Sequence, residues 1–123
     1  MARNQRGFTM IELMVVVTIL TVLSLISVTV YSNIQSRSRL AKAQADTRIM
    51  AGAIGAFQAH VGRMPAVLSD LTVSQTNASG QAGGPFMASN AVPPAGWIYN
   101  YSIGGAAGYT ITASGDNTTI TLP

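Results

Sequence analysis

The pattern of apolar and polar residues divides the chain into parts with different hydrophobic periods. Residues 13–36 contain no charged side chain and are predominantly apolar, and about 20 such residues suffice to cross the hydrocarbon core of a membrane. After them, apolar side chains recur every three or four positions, which predicts a helix with one apolar face. That face contains Leu40, Ala43, Thr47, Met50, Ile54, Phe57 and Val61. We therefore predict one long helix, membrane-spanning over residues 8–36 (the anchor segment) and amphipathic over residues 37–61.

The last part of the chain alternates apolar and polar residues with the period of two that is typical of β-strands. This alternation predicts strands near residues 97–103, 108–114 and 118–122. A stretch rich in Ser, Asn, Gly, Ala and Pro precedes them and predicts a loop over residues 74–96. The first strand places one set of apolar side chains on a single face, namely Trp97, Tyr99, Tyr101 and Ile103.

An antiparallel sheet with one face on the amphipathic helix would bury the apolar stripes of both elements. We therefore predict an α+β fold, in which the long helix packs on a small antiparallel sheet of about three strands. Residues 62–123 form the globular head of this fold, and Phe86 and Met87 are expected to attach its loop to the core. Gly52 and Gly55 lower helix propensity, so we interpret them as points where the helix packs closely on a strand or a neighbour.

Hydroxyl side chains recur every three residues along the anchor segment, at Thr18, Thr21, Ser24 and Ser27. Small hydroxyl residues let helices approach one another and form hydrogen bonds between them. The same side chains also form hydrogen bonds with carbonyl oxygens of their own helix. The sequence leaves both interpretations open.

Glu12 is the single carboxylate at the start of the apolar run. An ionisable side chain at membrane depth is costly and is a functional hypothesis by default, so Glu12 is expected to have a partner. Hydrolysis of the bond after Gly7 would give Phe8 a positively charged amino group. Because residues i and i+4 share a helix face, that group could pair with Glu12, either within one chain or between neighbouring chains.

The segment Arg6-Gly7-Phe8-Thr9-Met10-Ile11-Glu12, followed by the apolar run, resembles the amino terminus of type IV prepilins and of type II secretion pseudopilins. The resemblance implies that residues 1–7 are a leader peptide, that a prepilin peptidase cleaves between Gly7 and Phe8, and that Phe8 is N-methylated. Glu12 matches the carboxylate of the family. Many members carry Gly and Pro inside the anchor, where this chain has Thr21 and Thr29, so melting of the anchor helix on assembly stays open.

The same resemblance implies a type IV pilin-like fold and the role of a structural subunit in a pilus or in a secretion pseudopilus. The implied partners are copies of the chain in a helical filament, the inner membrane, the prepilin peptidase, and the platform and motor of the assembly machine. The chain would be a single-pass inner-membrane precursor first and a periplasmic or cell-surface filament afterwards. An ordinary secretory signal peptide and an uncleaved anchor remain alternatives for residues 1–36.

Chain length, net charge and cysteine content limit the domain count, the partners and the type of pilin that we expect. The 123 residues have room for one domain beyond the leader and anchor. The net charge of +3 falls to +1 once Arg3 and Arg6 leave with the leader, which does not predict nucleic acid as a primary partner. The chain contains no cysteine, whereas many type IVa pilins close their carboxy-terminal region with a disulfide. This difference favours a pseudopilin or a minimal pilin.

The residues that could support catalysis are few and dispersed, so we predict no enzyme. Beyond Glu12, the carboxylates are Asp46, Asp70 and Asp116, which are too far apart in sequence to suggest an acid–base pair. His60 is the single histidine, and without a second histidine or a cysteine it predicts no zinc site. We expect no cofactor. The resemblance to calcium-binding pseudopilins makes Asp116 a weak candidate calcium ligand.

One alternative function comes from another class of protein. The chain would then be a single-pass anchored binding domain, periplasmic or extracellular, that does not polymerise. Trp97, Tyr99 and Tyr101 would form an exposed platform for a ligand. Alternating aromatic residues on a strand also form core surfaces. Filament formation and amino-terminal processing distinguish the two functions.

Overall fold

The computed structural model describes residues 7–123; the predictions for residues 1–6, including the roles of Arg3 and Arg6 in the leader, lie outside the described residues. The predicted long helix is confirmed. Helix α1 runs without interruption over Met10–Val61. It ends at Gly62, whose φ of 80° is the left-handed conformation that glycine adopts after a helix. The Gly62 nitrogen donates to the Gln58 carbonyl oxygen at 2.8 Å.

The chain divides into two compact units, Met1–Ser36 and Arg37–Pro123. In the first unit, the described residues consist of the short segment 7–9 and the first part of α1. The most apolar stretch of 18 residues in α1 has a mean hydropathy of 2.6, and no residue of that stretch is buried. Among the described residues, α1 is the helix long and apolar enough to cross a membrane by length and composition.

The second unit contains the predicted three-stranded antiparallel sheet. Strands β3 (Ile98–Ile103), β4 (Tyr109–Gly115) and β5 (Thr118–Leu122) pair in the order β3-β4-β5. In the register of the sheet, Tyr99 faces Ala113 and Ala113 faces Ile120. Asp116 and Asn117 turn the second hairpin with φ values of 48° and 56°. A two-residue turn with two positive φ angles matches the twist of the strands it connects.

The core of the second unit lies between the amphipathic part of α1 and this sheet. The side chains of Met50, Ile54 and Phe57 on α1 are buried together with Leu71 and Ile111. A smaller cluster joins Ala43 to Trp97 and Ala113. Both apolar stripes that the sequence predicts are therefore buried in one core, as expected for an α+β fold.

Thr47 and Ile103 depart from simple apolar patterning in opposite ways. Thr47 is fully buried, and its hydroxyl donates to the Gln44 carbonyl oxygen of its own helix at 3.0 Å, which removes the cost of an unpaired polar group.

The prediction that Ile103 joins the inner face of β3 is wrong, because its side chain is 60 % exposed. It is the last residue of the strand, and the turn that follows begins with two glycines that have no side chains to cover it.

The loop predicted over residues 74–96 is more ordered than its composition indicates. It contains a two-residue antiparallel pair, β1 (Gln75–Thr76) with β2 (Ala82–Gly83), and a 3-10 helix, Leu68–Thr72, precedes it. The nitrogens of Phe86 and Met87 donate to the Leu71 carbonyl oxygen at 2.8 and 2.9 Å. Both side chains pack on the core, as the sequence predicts.

Candidate functional site: the amino-terminal turn of the long helix

Helix α1 begins with a reciprocal pair of hydrogen bonds between Thr9 and Glu12. The Glu12 nitrogen donates to Thr9 Oγ1 at 3.3 Å, and the Thr9 nitrogen donates to Glu12 Oε2 at 3.0 Å. This arrangement is a capping box, in which two helix-terminal N–H groups are satisfied by two side chains. The sequence signal for it is the spacing Thr9-x-x-Glu12 just before an apolar run. The prediction for Glu12 rested on its charge alone and missed this cap.

The Thr9 hydroxyl also donates to Glu12 Oε2, at 2.9 Å. Oε2 therefore accepts two hydrogen bonds from Thr9, and within residues 7–123 no hydrogen bond reaches Oε1. The carboxylate lies at the amino-terminal end of α1, where the helix dipole favours negative charge. The charge of Glu12 is thus stabilised by its own chain before any external partner is present.

Phe8 lies outside the helix, two residues before its first residue Met10. Phe8 and Glu12 consequently do not share a helix face here, in contrast to the i, i+4 placement that we expected. The carboxylate instead turns back towards Thr9. Standard bond lengths place the Phe8 nitrogen within about 7 Å of Glu12 Oε2, because the Thr9 nitrogen lies between them. The Phe8 nitrogen and the Glu12 carboxylate are therefore close because Glu12 turns back towards Thr9, and not because the two residues share a helix face.

The surroundings of Glu12 are apolar and open. A shallow surface groove is lined by Phe8, Ile11, Glu12, Val15 and Val16, and the Phe8 side chain is 83 % exposed. Gly7 has no atom within 4 Å of the position a Cβ would take. The peptide bond between Gly7 and Phe8 therefore lies in an exposed, non-helical segment, which is the backbone condition that a peptidase needs.

The four periodic hydroxyls of the anchor segment bond to their own helix, which supports the second of the two interpretations above. Thr18, Thr21, Ser24 and Ser27 donate to the carbonyl oxygens of Met14, Val17, Leu20 and Leu23 at 2.7 to 2.8 Å. Thr29 donates likewise to the Ile26 carbonyl oxygen at 2.9 Å. Helix α1 is continuous through Thr21 and Thr29 in this structure.

The expectation that Gly52 and Gly55 pack closely on a strand is wrong. Both residues are exposed, and no atom lies within 4 Å of the position of an added Cβ at either one. The buried face of α1 is formed by the neighbouring positions Ala53, Ile54 and Phe57 instead. Helical spacing therefore places the two glycines on the opposite, solvent-facing side.

Asp116, the weak candidate for a calcium ligand, is engaged by two side chains. Arg39 donates to it through two nitrogens, Nε to Oδ2 at 2.8 Å and Nη2 to Oδ1 at 3.0 Å. The indole Nε1 of Trp97 donates to Oδ2 at 3.0 Å. The hydrogen bonds from Arg39 and Trp97 hold the pKa of Asp116 below its ordinary value of 3.8. A cation would have to displace Arg39 from both carboxylate oxygens.

The other two carboxylates have structural partners that the sequence did not predict. Asp46 Oδ2 accepts a hydrogen bond from the Tyr99 hydroxyl at 2.7 Å and lies 3.5 Å from Lys42 Nζ. Asp70 Oδ2 accepts hydrogen bonds from two backbone nitrogens, at 2.9 and 3.2 Å, just before the 3-10 helix. Within residues 7–123 no three His, Cys, Asp or Glu side chains are grouped to hold a metal ion.

Trp97, which directly precedes β3, is buried, and Tyr99 and Tyr101 of β3 are partly buried against the core. Trp97 is only 4 % exposed, and the Tyr101 hydroxyl donates to the Pro65 carbonyl oxygen at 2.8 Å. Burial, followed by the hydrogen bond to Asp46, raises the pKa of Tyr99 above its ordinary value of 10.0. The three side chains that the alternative function requires as an exposed platform are thus committed to internal contacts.

His60 also has a structural environment. Its Nε2 lies 3.2 Å from the Gln81 carbonyl oxygen, and its ring is tilted against Phe86 with the centroids 5.9 Å apart. The backbone of Gly83 lies against the same ring, so that a side chain at this position would clash with it. His60 thereby joins the end of α1 to the small β1–β2 pair.

Comparison with known proteins gives a match at the amino terminus. A family model that describes the prokaryotic N-terminal methylation motif matches residues 2–28, which include Gly7, Phe8, Glu12 and the first two thirds of the apolar run. No curated protein and no solved structure gives a significant match. The chain therefore carries, at the start of a long apolar helix, the prokaryotic N-terminal methylation motif that is characteristic of type IV pilins and pseudopilins.

Proposed function

We propose that this chain is the precursor of a structural filament subunit, in a type IV pilus-like fibre or a type II secretion pseudopilus. The motif supports the coarser statement that the chain is a pilin-type precursor. The finer proposal is that the processed chain polymerises through the amino-terminal part of α1. Its partners are then further copies of itself, a prepilin peptidase, and the platform and motor of an assembly machine.

The observation that carries the proposal is that the rest of the chain buries none of the apolar part of α1. None of its most apolar 18-residue window is buried within the chain. Removing apolar surface from water contributes roughly 25 cal/mol per Å², so this surface needs an apolar environment. The inner membrane supplies it for the precursor, and identical helices of neighbouring subunits supply it in a filament.

In this proposal, processing occurs between Gly7 and Phe8 and is followed by N-methylation of Phe8. The exposed, non-helical backbone at Gly7 supports access by a peptidase. Cleavage gives Phe8 a positively charged amino group close to Glu12. In the apolar interior of a filament, Glu12 would pair with the Phe8 amino group of a neighbouring subunit. That pairing would set the register between adjacent helices.

The experiment that tests processing is the intact mass of the chain after extraction from membranes of cells that contain the peptidase. The expected mass lacks Met1 to Gly7 and includes one additional methyl group. A Gly7→Val variant, with a bulky residue before the scissile bond, should keep the full precursor mass. A natural product that begins at Met1, or at a residue beyond the anchor segment, would overturn the proposal.

The experiment that tests polymerisation compares Glu12→Gln with the parent chain. The variant keeps the size and hydrogen-bonding capacity of the side chain but removes its charge. We expect it to be inserted and cleaved normally, yet to sediment as little filament. Equal filament yields from the two chains would contradict the pairing of Glu12 with Phe8.

Between the two kinds of fibre, the absence of cysteine and the short three-stranded sheet favour the secretion type. A pseudopilus remains in the periplasm, whereas a pilus reaches the cell surface. Immunogold labelling of intact and permeabilised cells distinguishes them. Labelled fibres on intact cells would assign the chain to a pilus.

A further inference from the structure

In the uncleaved chain, the Phe8 nitrogen is part of a peptide bond. No Phe8 amino group then exists to compensate the charge of Glu12. In the proposed function the uncleaved chain is inserted in the membrane, which brings the Glu12 carboxylate to the head of the anchor segment. Because an isolated ion in an apolar environment is strongly disfavoured, Glu12 keeps its charge there only if another group of the uncleaved chain stabilises it.

The structure provides that group, since Thr9 donates two hydrogen bonds to Glu12 Oε2, from its nitrogen at 3.0 Å and from its hydroxyl at 2.9 Å. The hydroxyl in turn accepts the Glu12 N–H at 3.3 Å, so its donor and acceptor capacities are both used. Hydrogen bonds to an ionised acceptor are stronger than neutral ones. Thr9 is the nearest polar residue on the amino-terminal side of Glu12 in an otherwise apolar neighbourhood.

We propose that Thr9 is a positioning residue that stabilises the Glu12 carboxylate in the uncleaved precursor and leaves Oε1 to receive the amino group of Phe8 from a neighbouring subunit. This inference rests on the proposed function: its first step on membrane insertion of the uncleaved precursor, and its second step on assembly with a neighbouring subunit.

The arrangement is compatible with processing because its hydrogen bonds use the nitrogen of Thr9 and not that of Phe8. Cleavage after Gly7 leaves the Phe8–Thr9 peptide bond intact, so the capping box persists in the mature chain. It holds Oε2 against the start of α1, and the side of the carboxylate that carries Oε1 stays open. The neighbouring amino group then meets an already oriented carboxylate, which reduces the conformational entropy lost on assembly.

The precursor step is tested in cells without prepilin peptidase, by the fraction of full-length precursor that is integrated in the membrane and resists alkaline extraction. Thr9→Val removes the hydroxyl and keeps the side-chain shape, whereas Thr9→Ser keeps the hydroxyl. Thr9→Val keeps the hydrogen bond from the nitrogen of residue 9 and loses the bond from the hydroxyl. Loss of this one hydrogen bond to a charged group should lower the ratio of integrated to extractable chain roughly tenfold. Thr9→Ser should behave like the parent.

The double variant Thr9→Val/Glu12→Gln separates this role from a general helix-capping role. If Thr9 acts through the charge of Glu12, Thr9→Val has no effect once that charge is absent, so the double variant should integrate as well as Glu12→Gln alone. An equal loss from Thr9→Val in both backgrounds would show that Thr9 only caps the helix, and would overturn the proposal. Full integration of the Thr9→Val single variant would also overturn it.

The assembly step is tested in cells with the peptidase, by filament yield normalised to the amount of processed chain. Thr9→Val should reduce this yield several-fold, and Thr9→Ser should restore it. A Thr9→Val yield equal to that of the parent, while Glu12→Gln fails to assemble, would refute positioning by Thr9 and leave the proposed function intact. Filaments from Glu12→Gln at the parental yield would refute the proposed charge pairing, and the integration assay would still decide the role of Thr9 in the precursor.

Discussion

The two halves of α1 belong to one uninterrupted helix but place their side chains in opposite environments. In the anchor segment, apolar side chains such as Leu25 and Val28 are 70 % and 71 % exposed. In the amphipathic half, Ile54 and Phe57 are fully buried against the sheet. Helix formation and burial are therefore separate properties here. The amphipathic half is stabilised by packing within the chain, whereas the described part of the chain leaves the apolar side chains of the anchor segment exposed.

Polar groups show the same contrast. In the anchor segment, hydroxyls bond to carbonyl oxygens three or four residues away, so each side chain is satisfied without a neighbouring element. In the second unit, side chains bond across long stretches of sequence, as Arg39 does with Asp116 and Asp46 with Tyr99. Local hydrogen bonding leaves a helix able to change its surroundings, whereas long-range bonding holds the second unit in one arrangement.

The largest effect that tests this contrast is expected from truncation of a core side chain. Phe57→Ala removes a fully buried ring that packs edge-on against Phe86 with the centroids 5.6 Å apart. It should lower the free energy of unfolding of the second unit by about 3 to 5 kcal/mol. The matched change Leu23→Ala, at a side chain that is 55 % exposed, should leave that free energy unchanged. Denaturant unfolding of the full chain in detergent, followed by fluorescence of the single tryptophan, measures both.

A smaller effect is expected from the buried hydroxyl on β3. Tyr99→Phe removes the hydrogen bond to Asp46 and should lower the free energy of unfolding by about 1 to 2 kcal/mol. Tyr31→Phe, at an exposed tyrosine of the anchor segment, is the control and should have no effect.

Tyr99→Phe should also change how the free energy of unfolding depends on pH in the alkaline range. Burial and the hydrogen bond to Asp46 raise the pKa of Tyr99 in the folded state above 10.0. The associated stabilisation is fully present below the unfolded-state pKa and is lost as the pH rises through the folded-state pKa. Tyr99→Phe should remove this decline. An unchanged alkaline decline in the variant would show that another group is responsible.

A further effect concerns acid pH and the pair formed by Arg39 and Asp116. Because hydrogen bonds from Arg39 and Trp97 lower the pKa of Asp116, its contribution to stability is present above the ordinary pKa of 3.8 and is lost as the pH falls through the lowered folded-state value. Melting temperatures measured across that range should show a weaker acid decline in Asp116→Asn than in the parent. Arg39→Gln should weaken the acid decline in melting temperature similarly. The double variant should differ little from either single variant. Fully additive effects would contradict coupling of the two side chains.

The smallest effect is expected from the hydroxyls of the anchor segment. Thr21→Val removes only a hydrogen bond to the Val17 carbonyl oxygen of the same helix. It should change helix content by circular dichroism and filament yield by no more than the experimental error, since surface substitutions away from special features change stability by about 0.5 kcal/mol or less. A clear loss of filament would instead show that this hydroxyl contacts a neighbouring subunit.

The hydrophobic pattern was sufficient for the main elements of the fold because periodicity is a local property. The stripe from Leu40 to Val61 predicted which face of α1 is buried, and the alternation from Trp97 to Tyr101 predicted the inner face of β3. The interpretation that Gly52 and Gly55 pack on a strand was wrong, since helix propensity says nothing about whether a small residue faces a strand or the solvent. Their packing on a neighbouring chain stays a prediction. The short β1–β2 pair was missed because two-residue strands have too few residues to show a period.

For the candidate site, the sequence determined the residues themselves: Gly7, Phe8 and Glu12 at fixed spacing before an apolar helix. The turn of Glu12 back to Thr9 is local, and the spacing Thr9-x-x-Glu12 could have predicted it. Only the tertiary structure showed that Asp116 is held by Arg39 from 77 residues away. The physical reason is the distance along the sequence over which each property is determined. Helix formation, strand formation and hydropathy depend on neighbours in sequence, whereas the partner of a charged side chain depends on which elements the folded chain brings within hydrogen-bond distance.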